Sequence, residues 1–145
     1  MSDFAERLKD LLDDNNLTYQ ELAKTSKVSR TSLRFWLRYG VIPKPTSIMQ
    51  LAKFFNCPVD YFIGKTDKTK IVFSNTPVDF AERLNSLIKE KKITPYRACM
   101  DMHLETDTMS VWLNKGIYPN YENLLLLVDY FNCSADYLLG LVDTK

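Results

Sequence analysis

Between Thr18 and Lys53 the chain carries seven cations, Lys24, Lys27, Arg30, Arg34, Arg38, Lys44 and Lys53, against one acid, Glu21. Hydroxyl side chains lie among them at Thr18, Ser29, Thr31 and Ser32. A net charge of +6 over 36 residues suits a polyanion. Guanidinium and ammonium groups neutralise phosphates, and hydroxyls and helix ends supply further donors. Taken alone, such a run is a solvated face. It becomes a site only where a rigid element holds the cations on one side.

Other chemistries find less support. The chain has one histidine, and its three cysteines show no CxxC spacing, which excludes a zinc finger and a disulfide framework. No Ser/His/Asp set, glycine-rich phosphate loop or paired carboxylates emerge, so no catalytic residue, metal, cofactor or small-molecule ligand is expected. Hydrophobic residues make up 46% of the 145 and charged residues 26%, the balance of a folded chain. The longest clean apolar run, Leu124 to Val128, has five residues, far short of the roughly 20 of a membrane span. The polar start, MSDFAERLKD, does not read as a signal peptide, so none is expected. The expectation is a cytoplasmic protein that is not an enzyme.

The elements repeat. DFAERL at 3–8 returns at 79–84, and NCPVDYFIG at 56–64 returns as NCSADYLLG at 132–140. The offset is 76 residues throughout, with 20 identities in 65 positions. A tandem duplication follows. The expected domains are 1–66, a linker over 67–78, and 79–145. Each copy reads as helices. Phe4, Leu8, Leu11 and Leu12 share one helical face, as do Phe80, Leu84, Leu87 and Ile88. Thr18 and Ser29 are placed to cap a second and a third helix, and Gly40 and Pro43 stop the third. Thr46 is the expected cap of a fourth, and Thr76-Pro77 of the first helix in copy two. A short fifth begins after Pro58.

Two short helices joined by a tight turn within a helical unit make a helix-turn-helix. The pieces LTYQELAKTSKV (17–28) and SRTSLRFWL (29–37), the 43–52 stretch and the closing NCPVDYFIG resemble the XRE or Cro/phage-repressor family. The resemblance covers 3–67 and 79–143, with one shared departure: the glycine after the tryptophan falls one residue late, at Gly40 and Gly116. It implies an all-α chain of two tandem five-helix, lambda-repressor-like domains. It implies a sequence-specific regulator of transcription, repressor-like, whose partner is double-stranded DNA. The inward aliphatic of the third helix becomes Leu33, and the base-facing positions become Arg30, Thr31, Ser32 and Phe35. Thr18 and Ser29 take the phosphate-capping places, and Tyr19 starts the second helix. Arg30 is the best base reader, since guanidinium pairs bidentately with guanine. Lys27 and Arg38 are expected on phosphates. Arg34 and Arg38 can equally lie on the solvent side, and Phe35 can meet a thymine methyl or pack on a neighbour.

Copy two keeps the frame and loses the charge. Its matched window, 94–129, sums to −3, and 19–35 against 95–111 contains no identity. Glu105 takes the cap position, and Thr106, Asp107, Thr108 and Val111 take the head. Trp36, Trp112 and the cysteines read as core, and the Asp-Tyr pairs at 60–61 and 136–137 as structural. The leucine run and the chain end suggest an apolar patch of Leu125, Leu126, Tyr130, Leu141 and Val142. That patch points to a homodimer through the second domain. The alternative function is a protein-interaction module that binds another regulator through the duplicated frame.

Overall fold

Thr18 opens a helix by satisfying two orphan donors at once. Its Oγ1 accepts from the Glu21 N–H at 3.1 Å, and the Glu21 carboxylate accepts from the Thr18 N–H at 3.0 Å. This reciprocal box sets the first turn of the helix over Tyr19–Thr25. The Thr18 backbone donor, and after it the Thr18 hydroxyl, holds the Glu21 carboxyl below the usual carboxylate range. A carboxyl depressed in the folded state stabilises above its unfolded pKa. That contribution fades as pH falls through the lower, folded value. Thr18→Ala is expected to cost about 0.5–2 kcal/mol and to return Glu21 only part of the way to its ordinary titration, because the residue-18 N–H remains. NMR titration of Glu21 in both chains, with thermal melts, checks this; an unmoved titration would count against the box.

The computed structural model describes residues 3–145, Asp3 through its backbone alone. Met1 and Ser2, which fall in the expected domain 1–66, lie outside the described residues. The described residues form ten helices and no strand. They are α1 (Asp3–Asp14), α2 (Tyr19–Thr25), α3 (Arg30–Tyr39), α4 (Pro45–Phe55), α5 (Val59–Phe62), α6 (Phe80–Lys91), α7 (Pro95–Asp101), α8 (Thr108–Lys115), α9 (Tyr121–Phe131) and α10 (Ala135–Leu138). None is long and apolar enough to cross a membrane. The chain divides between Val72 and Phe73 into two compact units. The pairs α2 and α7, α4 and α9, and α5 and α10 agree at both ends with the 76-residue offset.

In the first unit α3 packs on α1 and α2, and α5 packs on α1 and α4. Phe4 sits between Trp36, met edge-on at 5.9 Å, and Phe62 at 5.7 Å. In the second unit α8 packs on α6 and α7, and α10 on α6 and α9. There Phe80 meets Trp112 at 6.3 Å and stacks on Tyr118 at 5.5 Å. Burying each such ring contributes roughly 1.5–3 kcal/mol. The late glycines end α3 and α8 in the left-handed conformation, φ 67° and 64°, which glycine adopts without a Cβ penalty.

The repeated arginine of DFAERL and the tyrosine of the repeated Asp-Tyr pair belong to one device. Arg7 Nη1 donates to the carbonyls of Tyr61 (2.9 Å) and Thr66 (2.7 Å), with its guanidinium 4.8 Å over the Tyr61 ring. Arg83 Nη1 donates to the carbonyls of Tyr137 (2.7 Å) and Val142 (3.1 Å), 3.8 Å over the Tyr137 ring. Each arginine thus ties the first helix of its unit to the chain leaving the fifth.

Two expectations about helix starts are corrected. Helix α4 starts one residue before Thr46: Lys44 is its cap residue and Pro45 its first turn, where a missing N–H costs nothing. Helix α6 follows Asp79, not Thr76-Pro77. The 67–78 segment is tied down at several points. Ile71 N–H donates to the Asn56 carbonyl (3.2 Å), Ser74 to Leu141 (2.8 Å) and Val78 to Gly140 (3.2 Å).

Candidate nucleic-acid interface

Ser29 starts α3 by accepting from the Ser32 N–H at 3.1 Å, and its hydroxyl donates to Ser32 Oγ at 2.8 Å. Leu33 and Trp36 then turn inward, 0% and 7% exposed. That fixes the opposite side of the helix as a ridge. Arg30, Thr31, Arg34, Phe35 and Arg38 are all exposed, and Ser32 is half-buried. Arg30, Arg34 and Arg38 follow one another at four-residue spacing, one row along the ridge. Arg34 lies 5.9 Å over the Phe35 ring and Arg38 6.0 Å over Tyr39, and the two rings are 5.5 Å apart. Phe35 therefore packs on a neighbour on its own helix while remaining open to a partner.

A depression lies on each side of the ridge. One, of about 330 Å³, is lined by Lys27, Ser29, Ser32, Lys44, Thr46, Ser47 and Gln50, with Val28 and Trp36 behind them. Two ammonium groups, several hydroxyls and the N-terminal turn of α4 converge there. Such a set is shaped for a phosphate. Thr46, Ser47 and Gln50 were not among the sequence candidates, and Lys44 counted there only toward the net charge. The available signal was the Lys44-Pro45-Thr46 run, a helix start carrying a cation.

The other depression, of about 780 Å³, gathers Tyr19, Arg34 and Arg38 against Glu6, Lys9, Asp10 and Asp13 of α1, with Leu12, Leu17 and Leu37 among its lining. Tyr19, Arg34 and Arg38 thus come together, on the acidic side of the unit. Thr18 is exposed, its hydroxyl engaged with the Glu21 N–H. Lys27 and Arg38, both expected on phosphates, flank α3 on different sides.

The second unit departs from expectation at its head. Helix α8 begins at Thr108, two residues later than α3 allowing for the offset. Glu105 does not cap it: Asp107 precedes the helix, at φ −96° and ψ −3°, without a side-chain cap bond. Glutamate is too long to close a cap as Ser29 does. Thr106 and Asp107 lie in the turn, where the Glu105 carbonyl accepts from the Thr108 N–H at 3.1 Å. Val111 is half-buried.

The apolar patch is also corrected. Leu141 is 4% exposed, Leu125 and Val142 are half-buried, and of the five only Leu126, at 41%, is exposed. Tyr130 donates to Asp101 Oδ2 at 2.6 Å, under Lys91 at 4.8 Å from its ring. Desolvation, and then that bond to Asp101, push the Tyr130 hydroxyl up to about 12. The tyrosine is engaged with its own unit.

Residues 8–62 match the helix-turn-helix family model. The match runs from α1 to the end of α5 and so contains α2, the turn, and α3 with its cationic ridge. Over these residues the first unit is similar to a helix-turn-helix domain. No curated protein and no solved structure matches the chain.

Proposed function

We propose that the chain is a sequence-specific, repressor-like regulator of transcription. Its first unit lays α3 in the major groove of double-stranded DNA. One observation carries the reading: the exposed side of the helix-turn-helix holds Arg30, Arg34 and Arg38 in a row, with Lys27 and Lys44 together beside it. A helix in the groove reads bases through its N-terminal turn while flanking cations and helix ends hold phosphates. The chain acts by binding, without catalysis, in the cytoplasm where its DNA is. The second unit is a diverged copy of the same frame with little part in reading DNA.

Fluorescence anisotropy of the full chain on mixed-sequence duplex, across a salt series, tests this. The observed association constant should fall with a log–log slope of about −0.9 per phosphate neutralised. A chain that fails to bind duplex at low salt, or binds with a flat slope, would overturn the reading. Thr106→Ala with Thr108→Ala and Ser110→Ala should change affinity much less than Arg30→Ala with Ser32→Ala and Arg34→Ala. Equal losses would show two reading heads on two half-sites.

The alternative, a module that binds another regulator through the duplicated frame, draws on exposed apolar side chains, which the first unit also has at Val41, Ile42 and Phe54. Tyr96, Met100, Ile117 and Leu126 are 53%, 52%, 50% and 41% exposed.

A further inference from the structure

The two units present opposite chemistry at matched positions. The depression beside α3 is lined by Lys27, Ser29, Lys44, Thr46 and Gln50. Seventy-six residues on stand His103, Glu105, Asn120, Glu122 and Leu126. Two ammonium groups have gone, two carboxylates have arrived, and an exposed leucine replaces a glutamine. Helix α7 extends the exchange. Tyr96 and Met100, one turn apart and both more than half exposed, take the places of Gln20 and Lys24 in α2. Carboxylates at these positions repel phosphate, and an open ring and thioether offer it nothing. They suit a partner surface that carries cations and aromatic rings. The chain itself bears such a surface: α3 displays Arg30, Arg34 and Arg38 with Phe35 and Tyr39, 41% and 60% exposed.

We propose that the face of the second unit around Met100, Glu105, Glu122 and Leu126 docks the cationic α3 ridge of the first unit in a second copy of this chain. The proposal rests on the reading of that ridge as the DNA-binding surface. A docked copy takes the place of duplex, so self-association and DNA binding exclude one another. Windows of +6 and −3 attract, and salt screens the attraction. Two copies that exchange faces reciprocally close a two-fold dimer with both ridges covered. The apolar contacts of Tyr96, Met100 and Leu126 add to the charge pairing and leave carboxylates at the rim.

Sedimentation velocity of the full chain at tens of micromolar, in about 50 mM and about 500 mM salt, tests the docking. The wild type should associate in low salt and return to monomer in high salt or on addition of mixed-sequence duplex. Glu105→Lys with Glu122→Lys should abolish association and raise apparent duplex affinity several-fold at concentrations where the wild type associates. Arg30→Glu with Arg34→Glu should also abolish it. Mixing the two reversed chains should restore it, which shows that both remain folded. A wild type that stays monomeric in low salt, association that persists in either reversed chain, or a mixture that stays monomeric would overturn the proposal. Intact, reversal-sensitive association in a chain that fails to bind duplex would overturn the DNA reading alone.

Discussion

Arg30→Ala is expected to weaken binding to the chain's specific DNA site by about 1–3 kcal/mol and to relax preference at one base pair. Arg30 is the first residue of α3, exposed, immediately after the Ser29 cap. The Ser29 and Ser32 hydroxyls are bonded to each other, and that of Ser29 also accepts from the Ser32 N–H. Arg30 and Thr31 are therefore the side chains of the first turn that reach outward. Of these, only guanidinium spans the two acceptors of a guanine edge. Lys27→Ala should behave differently. Lys27 lies in the depression with Lys44 and the start of α4, a place for phosphate. Its loss should weaken specific and nonspecific duplex alike and flatten the salt slope by about one unit. A site selected from random DNA, titrated against a scrambled duplex at several salt concentrations, separates the two. An Arg30→Ala chain with unchanged site preference would mean that the reading head lies elsewhere.

Local rules carry far in this sequence because its caps are local. Thr18 and Ser29 bond to donors three residues on, so their types and positions announce α2 and α3. Leu33 and Trp36 face inward because helical period leaves them opposite Arg30 and Arg34. The same rules fail where geometry is set at long range. The start of α8 slips to Thr108 because Glu105 cannot do what Ser29 does. Lys44, Thr46, Ser47 and Gln50 line the same depression as Lys27 although they follow it by 17 residues or more. Hydropathy marks Leu141 as apolar, and only the tertiary path of the chain end makes it buried. Arg7 and Arg83 were visible as repeated residues. Their role, holding two carbonyls each from residues 54 and 59 positions away, was not.

Leu33→Ala is expected to unfold the first unit well before the second. Leu33 is fully buried at the centre of α3, between the ridge and the packing against α1 and α2. Removing its side chain should cost about 2–5 kcal/mol in lost burial and residual cavity. A unit of this size has a total stability of only roughly 3–10 kcal/mol. The chain supplies its own reporters, since each unit holds one buried tryptophan, Trp36 or Trp112. In a Trp112→Phe background, Trp36 fluorescence follows the first unit. In a Trp36→Phe background, Trp112 follows the second. Leu33→Ala should lower the Trp36 midpoint and leave the Trp112 midpoint in place. Met109→Ala, the matched change in α8, should do the reverse. DNA binding should disappear along the Trp36 transition, because the ridge exists only while Leu33 and Trp36 hold α3 against the core. If Leu33→Ala instead lowered both midpoints together, the units would unfold as one body. The ridge would then depend on the second unit as much as on its own core.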